Sequence, residues 1–180
     1  MFTFGQSNAA NHGQTRYKPG NKVFNYCNGK VYEGCDPLAG PTGEGGSVWT
    51  RLADRMIDTG MAESVTIVPI AVGATEISCW AEGGHLYDRL TETVDGMLAD
   101  GLVPDYILWH QGESDNISGT SAETYVHLFE NIRRVFRERG IEAPIYCFGK
   151  LSSGMHQQRA RQQRGCPSSP EKPCQDVQGH

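Results

Sequence analysis

Phe2-Thr3-Phe4-Gly5-Gln6-Ser7-Asn8 is the stretch around which the rest of this chain can be arranged. Phe2 to Phe4 is a short run of strand-forming residues, and it stops at a glycine followed by three polar side chains. A serine at such a point leaves a strand end through a tight turn. Its hydroxyl is held out of the core, because the glycine lets the backbone turn sharply and approach closely. Alone, the segment reads equally as a plain turn with an N-cap. The remaining strands decide.

Val65-Thr-Ile-Val-Pro-Ile-Ala-Val72 is an almost unbroken apolar run, the pattern of a parallel strand buried on both faces, and Gly73-Ala74-Thr75 ends it. Pro104-Asp-Tyr-Ile-Leu-Trp109 is the next such strand, halting at His110-Gln111-Gly112-Glu113-Ser114-Asp115, and Pro144-Ile-Tyr-Cys-Phe148 is the last. Helical periodicity fills the intervals. A helix over 48–59 follows the cap Ser47, a second spans 85–100, and a third opens on the capping box Thr120-Ser-Ala-Glu123 and closes at Gly140. Strands alternating with helices predict an α/β domain with a parallel sheet and right-handed crossovers. Ligands of such sheets sit outside the carboxyl ends of the strands. Ser7, Gly73 and Gln111 each fall just beyond a different strand end.

The 180 residues suit one core. Residues 1–150 are expected to form the domain and 151–180 a polar, proline-containing tail. A net charge of −5 excludes a phosphate-backbone partner, and the cationic stretch 159–164 reads as a solvated part of that tail. No apolar run approaches the roughly 20 residues that cross a bilayer, and no basic-then-apolar leader opens the chain. A soluble protein is expected, its first strand and any leader clipped close to Met1. Six cysteines lie too scattered for a disulfide scaffold, Cys27 and Cys35 reading as a loop bridge or as free thiols. No CxxC or Cys/His ligand spacing calls for a metal, and no cofactor is expected.

Residues 9–46 lack periodicity and read as a long excursion with one short strand over 22–26. Gly40-Pro-Thr-Gly-Glu-Gly-Gly46-Ser47 mimics a phosphate-binding loop, but Gly46 stands where the lysine belongs and no apolar strand precedes it. A mobile loop leading to Ser47 is the better reading. Trp49 and Trp109 read as core, as does Trp80, which is also placed to border an acyl pocket after Gly73.

Ester hydrolysis through serine needs a nucleophilic hydroxyl, a base for its proton, and donors aimed at the developing oxyanion. Ser7 can supply the first and its own N–H, Gly73 a second N–H, and the Gln111 side chain a third donor. Gly5-Gln6-Ser7-Asn8, Gly73 in its Ala71-Val72-Gly73-Ala74-Thr75 context, and Trp109-His110-Gln111-Gly112-Glu113-Ser114-Asp115 resemble the first three sequence blocks of SGNH hydrolases. The sialate O-acetylesterase-like and acetylxylan esterase branch is most similar, with glutamine in the third block. The resemblance implies a flavodoxin-like three-layer α/β/α fold and metal-independent removal of acetyl groups from carbohydrates. It makes Ser7 the nucleophile, places Gly73 and Gln111 in the oxyanion hole, and matches Glu113 to a position that in some members orients the catalytic histidine. The implied partner is a small-molecule or oligosaccharide acetyl ester. Read from the residues alone, Gln111 and Glu113 also fit simple strand-end caps, and His110 a structural histidine.

The family's D-x-x-H block, which carries the base, has no counterpart after Lys150. Asp176 and His180 have the residue types without the spacing. Three readings stay open: an esterase completed by His180 or His156, a truncated or pseudoenzyme form that binds acetylated glycans without turnover, and a non-catalytic interaction module.

Overall fold

The computed structural model describes residues 1–149; the expected tail, with His156, His180 and Asp176, lies outside the described residues. Strands β1 (Phe2–Gly5), β2 (Val23–Cys27), β3 (Lys30–Glu33), β4 (Val65–Ala71), β5 (Ile107–His110) and β6 (Ile145–Phe148) form one sheet in the order β3-β2-β4-β1-β5-β6. All pairings are parallel except that of β3 with β2. Helices α1 (Val48–Asp58), α2 (Tyr87–Ala99), α3 (Glu113–Ser118) and α4 (Ala122–Arg137) complete the fold.

β1 lies between β4 and β5, with Gly5 opposite both Ala71 and His110, so its side chains have no solvent face. Phe2 and Phe4 point to the α2 and α4 side, where they meet Leu90, Val94, Ile132 and Phe136. The rings of Phe2 and Phe136 pack edge-on at 5.3 Å, and Trp80 packs edge-on against Phe4 at 6.0 Å and Trp109 at 6.1 Å. Such pairs add about 0.5–1.5 kcal/mol each to the burial of their area. The opposite face carries α1, whose Trp49 and Ala53 cover Val65, Ile67 and Leu108. On that face Tyr146 and Phe148 of β6 stay exposed.

This topology determines where a ligand can sit. From β1 the chain reaches β4 on one side by way of α1; from β4 it passes to β5 on the other side by way of α2 on the opposite face. The strand order reverses at β1, and a crevice opens at its carboxyl end. Ser7 follows that end directly.

Several expectations are corrected. The excursion 9–46 holds two strands, not one: Asn28 and Gly29, both at positive φ (50° and 74°), turn β2 into β3. The glycine-rich stretch is not a mobile loop, because backbone hydrogen bonds stitch it to the segment after Ser7, with Gly13 and Gly46 paired and Gly45 N–H donating to Asn11 at 2.7 Å. The cap of α4 is Ser121 rather than Thr120, its hydroxyl accepting from Thr124 N–H. The polar cluster at 110–115 runs from the end of β5 into the short helix α3. Trp80 is fully buried and donates to Thr75, so it is core and not a pocket wall. Cys27 and Cys35 are free thiols. Among the described residues no helix is long and apolar enough to cross a membrane.

Candidate active site

Gly5 sets the exit from β1. Its φ of +138° suits only glycine, and a Cβ there would lie 2.1 Å from the carbonyl oxygen of His110. The chain can therefore stay tied to β5, Gln6 N–H donating to His110 O at 3.1 Å, before Ser7 opens a single 3₁₀ turn over Ser7–Ala9. Trp49 steadies that turn from below, its indole N–H donating to Ala9 O at 2.7 Å. The Gln6 side chain turns inward and accepts from Gly112 and Ser114 N–H, satisfying donors at the start of α3. β1 and the loop after β5 are thus joined around Ser7.

Ser7 is half-buried and borders a cleft of about 680 Å³ with Gln6, His12, Thr42, Gly73 and Glu113 among its walls. Ala74, beside Gly73, holds a left-handed backbone (φ 60°) without being glycine. Such conformations cost on the order of 1–3 kcal/mol and cluster at functional sites. Gly73 N–H, expected as an oxyanion donor, here donates to the Thr42 hydroxyl at 2.9 Å, and His12 Nε2 lies 3.3 Å from the same oxygen. A Cβ on Gly73 would come within 3.2 Å of that imidazole nitrogen.

Gln111 lies behind this cleft rather than in its wall. It is 2% exposed, its amide nitrogen donates to Thr75 O at 3.1 Å and to the Asp115 carboxylate, and its oxygen accepts from the Tyr125 hydroxyl at 2.7 Å. Burial pushes the Tyr125 hydroxyl well above the ordinary tyrosine range, which keeps it a neutral donor. Asp115 also accepts from Ile77 N–H at 2.9 Å, linking the loops after β4 and β5.

Glu113 does face the cleft. Its Oε1 accepts from the Asn8 amide at 2.6 Å and stands 4.0 Å from His110 Nε2, too far for a hydrogen bond. Its Oε2 is buried and has no partner among the described residues. The rings of His110, Trp49 and Phe148 pack against one another in a triangle, and burial lowers the His110 pKa against the smaller opposing pull of Glu113. Its packed surroundings favour the neutral imidazole.

The structure thus brings Ser7, Gly73 and Glu113 to one cleft and places Gln111 in its support. His12 and Thr42 were missed because nothing in their spacing marks them. They arrive through the stitching of segment 11–13 to segment 42–46, a pairing without periodicity. Another depression of about 680 Å³, between β2 and α2, shares no lining residue with the cleft and has no serine in its wall. Among the described residues no group of three or more His, Cys, Asp or Glu side chains is arranged to hold a metal ion.

A helix-flanked parallel sheet with a serine leaving the strand where the order reverses defines the class, that of SGNH-like three-layer α/β/α proteins. Over residues 2–166 the chain matches the family described as carbohydrate esterase, sialic acid-specific acetylesterase, and it belongs to that family. It is similar to the probable carbohydrate esterase At4g34215 of Arabidopsis thaliana, 36% identical over 73 residues. That match covers 38% of this chain and 28% of the curated relative's length. The X-ray structure of the Arabidopsis thaliana protein AT4G34215 superposes with a TM-score of 0.67 at 23% identity, over 89% of this chain and 78% of that one, a likeness of fold.

Proposed function

We propose that this protein is a serine esterase that removes O-acetyl groups from carbohydrates, of acetylxylan or sialate type, through an acetyl-enzyme on Ser7. The observation that carries this reading is the cleft shared by Ser7, Gly73 and Glu113 at the reversal of strand order, in a chain of carbohydrate esterase family. Ser7 Oγ attacks the acetyl carbonyl, and the backbone N–H groups of Ser7 and Gly73 receive the oxygen that becomes negative. Such donors act most strongly where water is excluded, and each is worth about 100- to 1000-fold in turnover. Gly73 becomes available once substrate oxygen displaces the Thr42 hydroxyl. Gln111 braces the hole from behind in the described arrangement; as a third donor it would have to release Thr75 or Asp115. Glu113 holds Asn8 beside the nucleophile and keeps one oxygen free.

The test is hydrolysis of 4-nitrophenyl acetate and of an acetylated xylo-oligosaccharide by the whole chain and by Ser7→Ala. Wild-type turnover falling in S7A by on the order of a million-fold, to the residual level of the hole alone, is expected. The engaged state of Gly73 and Gln111 favours a second reading, binding of acetylated glycans without turnover. Equal, background rates for both chains with saturable glycan binding would select it.

A further inference from the structure

The groove between β2 and α2 encloses about 680 Å³, within the range of roughly 300–1000 Å³ usual for small-molecule sites. Among the described residues that line it, Arg89 is the single cation, and it is half-buried. Its Nη2 donates to Gly40 O, and no carboxylate among the described residues stands within ion-pair distance of it. Burial pulls its pKa below the ordinary arginine value, against a smaller opposing pull from Cys27. Helix stability does not account for this residue, because it stands in the first turn of α2, where the helix dipole disfavours a cation. Nor is it needed to hold the Gly40 segment. Ala39 N–H donates to the Asn25 side chain at 2.6 Å, and Thr42 N–H donates to Ala71 O at 2.9 Å. Gly96, a poor helix former inside α2, lines the same groove. A Cβ there would meet nothing closer than the Tyr26 hydroxyl at 4.0 Å, so no close approach demands glycine, and a larger side chain would take up the groove's space.

We propose that this groove is a second ligand site, for a carboxylate that carries hydroxyl groups, such as a sugar acid, with the carboxylate seated on Arg89. A guanidinium presents parallel N–H donors that match the two oxygens of a carboxylate, and those not spent on Gly40 are available. The acceptors in the same wall set the rest of the ligand. Glu92 lies one turn beyond Arg89, and Asp100, which accepts from the Tyr26 hydroxyl at 2.7 Å, lies at the far end of α2, roughly 16 Å along the axis from Arg89. A carboxylate only accepts hydrogen bonds, so both suit a ligand's hydroxyls and repel a further negative charge. A dianionic phosphate therefore fits this wall worse than a monoanion whose other polar groups are donors. The proposal stands apart from the esterase reading, since no residue of the groove lines the cleft at Ser7.

The experiment titrates the whole chain with D-glucuronate by calorimetry, beside methyl glucoside, acetate and inorganic phosphate, and repeats the glucuronate titration on Arg89→Lys, with circular dichroism reporting its fold. Lysine keeps the charge and loses the fork, so it separates recognition of a carboxylate from mere attraction. In parallel, iodoacetamide modifies Cys27, which lines the groove, and the tryptic peptide 23–30, in which Cys27 is the single cysteine, reports the rate by mass spectrometry. Saturable glucuronate binding is expected, with methyl glucoside, acetate and phosphate each about tenfold weaker or more, and a loss of about tenfold or more in Arg89→Lys. Glucuronate should slow modification of Cys27 and methyl glucoside should not, a readout that decides on the wild-type chain alone if the variant fails to fold. Acetate or phosphate binding as tightly as glucuronate makes Arg89 a general anion contact and overturns the proposal. So does glucuronate binding that is unchanged in a folded Arg89→Lys or leaves Cys27 unprotected, and so does the absence of saturable binding below about 10 mM.

Discussion

At the scale of single residues the site depends on side chains that are not exposed to substrate. Gln111 joins three groups: it donates to Thr75 and Asp115 and accepts from Tyr125, whose hydroxyl in turn accepts from the Trp109 indole at 3.0 Å. Removing its amide leaves the buried Tyr125 hydroxyl and Asp115 carboxylate short of partners, each such loss costing about 1–3 kcal/mol. Gln111→Ala is therefore expected to lower unfolding free energy in urea by at least that amount while also reducing turnover. A change within ~0.5 kcal/mol, the range of ordinary surface substitutions, would show that the network carries little. The placement of Ser7 and Gly73 was legible in the sequence because both stand just after strand ends whose composition is unmistakable. Gln111 was legible as the residue beyond the end of β5 but not as a buried brace. Whether an amide faces a cleft or turns inward is set by partners 14 and 36 residues away, Tyr125 and Thr75.

At the scale of elements, α1 holds more than its apolar face. Its Asp54 accepts from the Tyr17 hydroxyl at 2.5 Å, from Gly20 N–H at 3.3 Å, and from the backbone and side chain of Asn21 at 3.0 and 2.8 Å. The Tyr17 hydrogen bond, opposed by desolvation and helped by Asn21 and Gly20, holds this carboxyl below the ordinary aspartate value. A carboxyl with a depressed folded pKa contributes stability above its unfolded value, near ~3.9, and loses that contribution as pH falls through the folded value. Denaturant unfolding of wild type between pH 6 and 2 should show this loss, and Asp54→Asn should flatten it. Identical slopes in the two proteins would contradict it. None of this was legible, since segment 9–46 has no hydrophobic period. The hairpin within it did carry a signal, because Asn-Gly between strand-forming residues favours the turn that joins β2 to β3. Ser47 as the cap of α1 was legible, and its hydroxyl accepts from Trp49 N–H at 3.2 Å. At α4 two adjacent hydroxyl residues compete for the cap position, and the backbone chose Ser121 over Thr120.

For the whole molecule, the alternation of apolar strands and amphipathic helices was enough to give an α/β fold, because buried parallel strands have a composition that few other elements share. The lateral order of the strands was not legible. It follows from which face each crossover helix covers, and that reversal at β1 is what puts the segment after Phe4 beside a cleft. The central claim, that Ser7 is an activated nucleophile at this reversal, is tested most directly by reacting the native chain with a fluorophosphonate and mapping the adduct by mass spectrometry. Tryptic cleavage at Arg16 yields the peptide 1–16, in which Ser7 is the single serine. Stoichiometric modification of that peptide, abolished in Ser7→Ala and slowed by an acetylated xylo-oligosaccharide, is the predicted result. A folded chain whose peptide 1–16 remains unmodified, or which is labelled equally in Ser7→Ala, would contradict it.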